Sequence, residues 1–158
     1  MNLFVVSYDI NECAKYLDNR RLNKAILENC QMLSTGINLN GGKAPYKSTH
    51  ERHPINLWVR QTRGNFQWTI DYTFALTLEY RRRFGKTHAC YFVLLQIVKQ
   101  KHLIPEGSRT PFVNCARNKE LGLDFSSQSD VRLAYREYLR AKWRLDGPKA
   151  ISNIGLIK

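Results

Sequence analysis

The sequence predicts a mainly α-helical fold, a compact bundle of about four helices behind a short N-terminal extended segment. Three observations predict it: four stretches repeat apolar residues at helical spacing, the one β-branched run is short and lies at the start, and turn signals separate the periodic stretches. Residues 3–8, Leu3-Phe4-Val5-Val6-Ser7-Tyr8, suit a short strand or an extended lead-in. Asn11 is placed to cap a helix from about residue 12 to about residue 35. A second helix begins after His53-Pro54, because proline suits the first helical turn. It carries Leu57, Trp58, Phe66, Thr69, Thr73, Leu76 and Tyr80 at helical spacing as far as Gly85. A third spans Ala89 to His102 ahead of Pro105, and a fourth runs from a cap at Ser129 to Asp146, ahead of Gly147-Pro148. The turn-rich run from Asn38 to Pro45 reads as a loop, and residues 104–127 read as irregular chain with one short turn.

The length, 158 residues, suits one helical domain over residues 1–158, and an apolar fraction of 43% against 24% charged residues supplies a core. The formal charge is 25 − 13 = +12, an excess that points to a polyanionic partner, nucleic acid first. Residues 1–79 hold nine Lys/Arg against seven Asp/Glu, and residues 80–158 hold sixteen against six, so the second half carries most of the field. The chain shows no apolar run of membrane-spanning length and no secretory signal pattern, so a soluble protein of the cytoplasm, with no membrane partner, is expected. Cys13, Cys30, Cys90 and Cys115 form no CxxC pair or disulfide-like spacing and read as reduced thiols.

On the first helix, Leu22, Ala25, Ile26, Asn29, Cys30 and Leu33 make a face for burial. At 100° per residue, Arg20, Arg21, Lys24, Glu28, Gln31 and Thr35 fall within an arc of about 100° elsewhere on it. Such a stripe is either a solvated face, with Lys24 and Glu28 as an i,i+4 pair, or one carboxylate held among cations, ionised and poised to stabilise positive charge or relay a proton. The polar loop from Ala44 to Pro54 brings Lys47, His50 and His53 toward the same region. The two histidines suit hydrogen-bonding or phosphate contact, and a metal role would need a third ligand from His88, Cys90 or Cys115, in a spacing that matches no zinc pattern.

On the second helix, Glu79 lies on a face meant for burial, and Arg83, four residues on, is placed to pair with it. Trp58, Phe66 and Trp68 read as core side chains, with base stacking as the alternative. The fourth helix repeats arginine at Arg132, Arg136, Arg140 and Arg144 beside an apolar stripe of Val131, Ala134, Tyr138, Ala141 and Leu145. This is either an arginine-rich surface or a phosphate track.

Taken together, Leu17-Asp18-Asn19-Arg20-Arg21-Leu22 with Lys24, Glu28 and Gln31-Met32-Leu33-Ser34-Thr35, then Pro45-Tyr46-Lys47, Thr49-His50, His53-Pro54, Trp58-Val59-Arg60, Asn65, Trp68, Glu79-Tyr80, Arg83-Phe84-Gly85-Lys86, His88 and Thr110-Pro111-Phe112, resemble a family of short phage and prophage proteins over nearly the whole chain. The layout is also similar, more distantly, to phage pyrimidine-dimer DNA glycosylases of the endonuclease V type. That resemblance implies a compact all-α domain whose first helix carries a histidine or arginine, a catalytic glutamate seven residues later and a further cation beyond, a spacing met by Arg21 and Glu28. It further implies a flipped nucleotide, attack of an amine on the sugar C1′ to give a Schiff base, and a glutamate that assists glycosidic cleavage and β-elimination. Gln31 stands where the further cation would be. The family's nucleophile is an α-amino group exposed by removal of Met1, whereas here the larger Asn2 follows Met1, and Lys24, one turn before Glu28, is a second amine available for the role.

The sequence thus leads to a phage-type DNA-acting enzyme without metal or cofactor, a DNA glycosylase with or without AP-lyase activity on duplex DNA. Glu28 and Lys24, or the amino terminus in place of Lys24, are expected to do the chemistry. Arg20, Arg21, Gln31, Lys47, His50, His53, Arg132, Arg136, Arg140 and Arg144 are expected to contact DNA. The alternatives are a non-catalytic nucleic-acid-binding module, such as a nuclease inhibitor or DNA-coating protein, and an enzyme acting on a free nucleotide.

Overall fold

The computed structural model describes residues 1–148 and 150 and is mainly helical. Among those residues there are six α-helices where four are expected, because side-chain caps cut two of the long periodic stretches. The first stretch divides into α1 (Ile10–Tyr16) and α2 (Asn19–Leu39). Asp9 caps α1 by accepting the backbone N–H of Asn11, so Asn11 is the capped residue and not the cap. Asp18, in extended backbone, caps α2 through the N–H of Arg21 at 3.1 Å. The second stretch divides at Thr62 into α3 (Pro54–Gln61) and α4 (Arg63–Phe84); the Thr62 hydroxyl accepts from the Asn65 N–H, and Gly85 ends α4 in the left-handed conformation.

The third helix is shorter than expected, α5 (Cys90–Val98), with a 3-10 turn at Lys101–Leu103. Residues 104–127 hold a short antiparallel hairpin as well as irregular chain: β1 (Arg117–Asn118) and β2 (Leu123–Asp124) flank a 3-10 turn at Lys119–Leu121. The last helix is α6 (Val131–Asp146), capped by Asp130 in place of Ser129 because a carboxylate there accepts two backbone N–H groups. Its buried face is Ala134, Tyr135, Tyr138, Leu139 and Trp143, and Leu145 of the expected stripe is 60% exposed.

The opening residues form an irregular lead-in with no strand partner, where an extended segment is expected: the Val5 N–H bonds back to the Leu3 carbonyl at 2.8 Å, and Leu3 to Val6 are buried. Buried carbonyls outside a sheet need other donors. The Tyr72 hydroxyl donates to the Phe4 carbonyl (3.3 Å) and Arg136 Nε to the Val6 carbonyl (2.8 Å), so the lead-in is fastened to α4 and α6. Helix α2 packs on α3, α4 and α5, and α1 lies on α4. Contacts of Phe4 with Tyr135 and of Tyr16 with Trp143 bring α6 onto this core. Trp58 and Phe66 are core residues, and Trp68 stacks into an aromatic group with Trp58, Tyr72 and Phe112. Gly64 admits the loop after α5: a Cβ there would collide with the backbone nitrogen of Arg109. No helix among the described residues is long and apolar enough to cross a membrane.

Glu79 is 5% exposed and accepts from Arg83 Nε at 2.6 Å, as the i,i+4 spacing predicts, and from Arg82 at 2.7 and 2.8 Å. Arg83 also donates to the carbonyls of Lys15 and Leu17, binding the end of α1 to the end of α4. Burial raises the Glu79 carboxyl, but the two guanidinium partners outweigh it and hold the group below its ordinary range. Its folded value being depressed, its stabilisation is present above the unfolded carboxyl's pKa of about 4.3 and is lost as pH falls through the folded value. Glu79→Gln should therefore lower unfolding free energy at neutral pH by about 3 kcal/mol and flatten the acid limb of stability against pH, read from urea melts. Unchanged melts at both pH values would refute the pair's role.

Candidate active site

Helix α2, the lead-in, the start of α3, α6 and the hairpin line an open cavity of about 660 Å³. Its lining includes six cationic side chains, Arg20, Arg21, Lys24, Arg117, Lys119 and Lys142, and two carboxylates, Glu28 and Asp146. Glu28 is the carboxylate held among cations that the α2 stripe suggested. Its side chain is 17% exposed, its Oε2 lies 3.8 Å from the α-amino nitrogen of Met1, and its Oε1 lies 3.6 Å from Lys24 Nζ. The Met1 side chain is 3% exposed, whereas that of Lys24 is 67% exposed. The α-amine is thus delivered by a core-packed segment and the lysine by a free arm.

The lead-in is held close to its first atom. With its amide nitrogen turned toward the Cys115 carbonyl (3.0 Å), Asn2 bonds that carbonyl and the Tyr135 hydroxyl. Arg21 is not the open cation that the stripe suggested. It is 8% exposed and its guanidinium is shared between Asp18 (2.8 Å) and Asp146 (2.6 Å), because α6 packs against that edge of α2. Asp18 also accepts from the Trp143 indole at 2.7 Å. Burial raises the Asp18 carboxyl, and the hydrogen bonds from Arg21 and Trp143 more than reverse that, keeping it ionised beside Arg21. The resulting clamp joins the start of α2 to the end of α6 and forms one wall of the cavity.

The other sequence-predicted residues divide. Arg20 and His53 line the cavity; Gln31, Lys47, His50, Arg132, Arg136, Arg140 and Arg144 do not. Lys47 and His50 are exposed, with His50 in the left-handed conformation and its Nδ1 bonded to the Thr49 hydroxyl. Arg132 is paired with Asp130 and lies over the Tyr8 ring, and Arg136 is committed to the Val6 carbonyl. Of the four α6 arginines, Arg140 and Arg144 are exposed. The cavity face of α6 is Tyr138, Lys142 and Asp146, one turn apart each. Sequence reasoning missed Lys142, whose i±4 relation to Tyr138 and Asp146 could have found it, and missed Arg117 and Lys119, which lie in chain read as irregular. Among the described residues, no group of three or more His, Cys, Asp or Glu is placed to hold a metal ion.

His53 caps α3 with its ring: Nδ1 accepts the Ile55 N–H at 3.2 Å, which places the proton of the neutral ring on Nε2. Burial lowers its pKa, the Met1 α-amino charge and His50 lower it further, and Glu28 opposes them. The ring should therefore titrate below the usual histidine value of about 6.5, and Glu28→Gln should move it lower still by removing the opposing charge. An NMR titration of the ring protons reads both. A midpoint that rises on removing the carboxylate would contradict this electrostatic arrangement.

Compared with known proteins, residues 1–92 match the sequence profile of one family, described as pyrimidine dimer DNA glycosylase. The match takes in the lead-in, α2 with Glu28, and the helices through the start of α5. No curated protein and no solved structure matches the chain.

Proposed function

Because this chain belongs to the pyrimidine dimer DNA glycosylase family, we propose that it excises a damaged or modified base from duplex DNA and cleaves the resulting abasic site, with the Met1 α-amine as nucleophile and Glu28 as its carboxylate partner. The observation that carries the reading is the pairing of that amine with Glu28 at 3.8 Å inside a cavity walled by cations. The nitrogen lone pair forms a bond to C1′ while the glycosidic bond breaks and the base departs with its electron pair, taking up a proton. The Glu28 carboxylate offsets the positive charge that develops on the sugar. Opening of the sugar gives the imine. Glu28 is then placed to take a proton from C2′, and the electrons of that bond expel the 3′ phosphate.

Two amines flank Glu28, and the way each is held favours Met1. The buried lead-in positions its amine, whereas the Lys24 arm is mostly exposed. In this reading Lys24, with Arg20, Arg117, Lys119 and Lys142, meets phosphates. Gln31, Lys47, His50 and His53 contact the nucleotide or its neighbours, and the exposed α6 arginines, Arg140 and Arg144, lie toward flanking backbone. A cytoplasmic phage or prophage setting belongs to the same proposal.

Borohydride reduction should trap the protein covalently on a duplex with one abasic site and on a duplex with one thymine dimer. Peptide mapping should place the sugar on the Met1 peptide, and Lys24→Ala should still be trapped. Glu28→Gln should slow strand cleavage by about 10²- to 10³-fold while DNA affinity stays within about a few-fold. No adduct on either duplex would overturn the enzymatic reading in favour of a binding module, and a sugar on Lys24 would overturn the assignment of the amine. Duplex affinity should also fall with salt at a log–log slope of up to about −4.5 if those five cavity cations meet phosphates; a slope near zero would remove DNA as the partner.

A further inference from the structure

We propose that the hairpin from Arg117 to Asp124 opens the duplex, with Leu121 as the side chain that enters the base stack as a nucleotide leaves it. The inference rests on the DNA-acting reading above, but it concerns a part of the chain outside the family match, which ends at residue 92.

Leu121 is 45% exposed. Of the large apolar side chains that the described residues leave more than a third exposed, it alone lines the cavity. What sets it apart is its place among the cations that line the cavity. Its turn is fixed by local hydrogen bonds. The Asn118 side chain accepts the Leu121 N–H at 3.1 Å, and Gly122, at φ 64°, closes the turn with its N–H on the Lys119 carbonyl. The base of the hairpin is fixed by the Phe125 N–H on the Ala116 carbonyl and by Asn114, whose amide donates to the carbonyls of Phe125 and Gln128 at 3.0 Å each.

The neighbouring charges point to what the leucine meets. Arg117 and Lys119 are exposed and line the cavity with it, whereas the intervening acid, Glu120, and Asp124 do not line it. An apolar surface next to negative charge is a base step beside its phosphates. Apolar wedges of leucine type are a recurrent means of unstacking such a step, because a base taken out of the stack leaves apolar surface that the wedge covers. The cavity holding Met1 and Glu28 lies beside this wedge, where an extruded nucleotide would be received.

Cleavage of the same sequence carrying one abasic site, as duplex and as single strand, tests the proposal with wild type, Leu121→Ala and Leu121→Met. Leu121→Ala should lose at least about tenfold in kcat/KM on the duplex and stay within about twofold on the single strand, where no stack has to be opened. Leu121→Met, which restores an apolar wedge, should recover duplex cleavage to within about threefold of wild type. Equal losses on both substrates, or no loss on the duplex, would overturn the wedge while leaving the proposed activity intact. A wild-type protein that cleaves neither substrate would instead remove the underlying reading, and the wedge with it.

Discussion

The arrangement depends on a non-helical segment buried without a sheet. Residues Leu3 to Val6 are buried, and the Phe4 carbonyl is met by the Tyr72 hydroxyl, the Val6 carbonyl by the Arg136 guanidinium and the Leu3 carbonyl by the Val5 N–H, in place of a neighbouring strand. Burying such a segment orders its backbone at an entropic cost that the apolar side chains must offset, and all four of them are buried. The consequence is positional. A chain end fastened this way presents its first nitrogen at a fixed place, beside the one carboxylate of α2 that faces the cavity.

Around that point the charge is unbalanced. Six cationic side chains share the cavity with two carboxylates, and one of those carboxylates, Asp146, is occupied by Arg21. A concentration of like charge raises the energy of the free protein and lowers it when phosphate enters, so the same feature that weakens the fold in isolation favours a polyanion. The Asp18–Arg21–Asp146–Trp143 clamp resists this repulsion by joining the start of α2 to the end of α6. It is the structural counterpart of the Glu79–Arg83 pair, which joins α1 to α4.

Much of this was legible in the amino acids, for identifiable reasons. Helical periodicity located α2, α4 and α6, and the i,i+4 spacing located the Glu79–Arg83 and Lys24–Glu28 pairs, because both depend only on near neighbours in sequence. Two helix breaks were hidden because Asp18 and Thr62 interrupt the backbone without interrupting the apolar period on either side. Arg21 and Glu28 look alike on a helical wheel. Only the approach of α6 turns the first into a buried, doubly paired cation and leaves the second facing the cavity. Arg136 likewise reads as a surface cation until the Val6 carbonyl lies beneath it, a contact across 130 residues of chain that no local pattern carries. The hairpin lacks the length or alternation by which strands announce themselves, so Arg117, Lys119 and Leu121 went unseen.

The indole of Trp143 has an optical consequence. The protein has three tryptophans, and two of them, Trp58 and Trp68, sit against each other and against Phe112, lining no part of the cavity. Trp143 instead donates its ring proton to Asp18, whose other partner, Arg21, is part of the cavity wall. An anion that draws on that guanidinium would alter the field at Trp143, through Asp18, more directly than at the other two. Tryptophan emission is thereby coupled to occupancy of the cavity through one indole, without a dye.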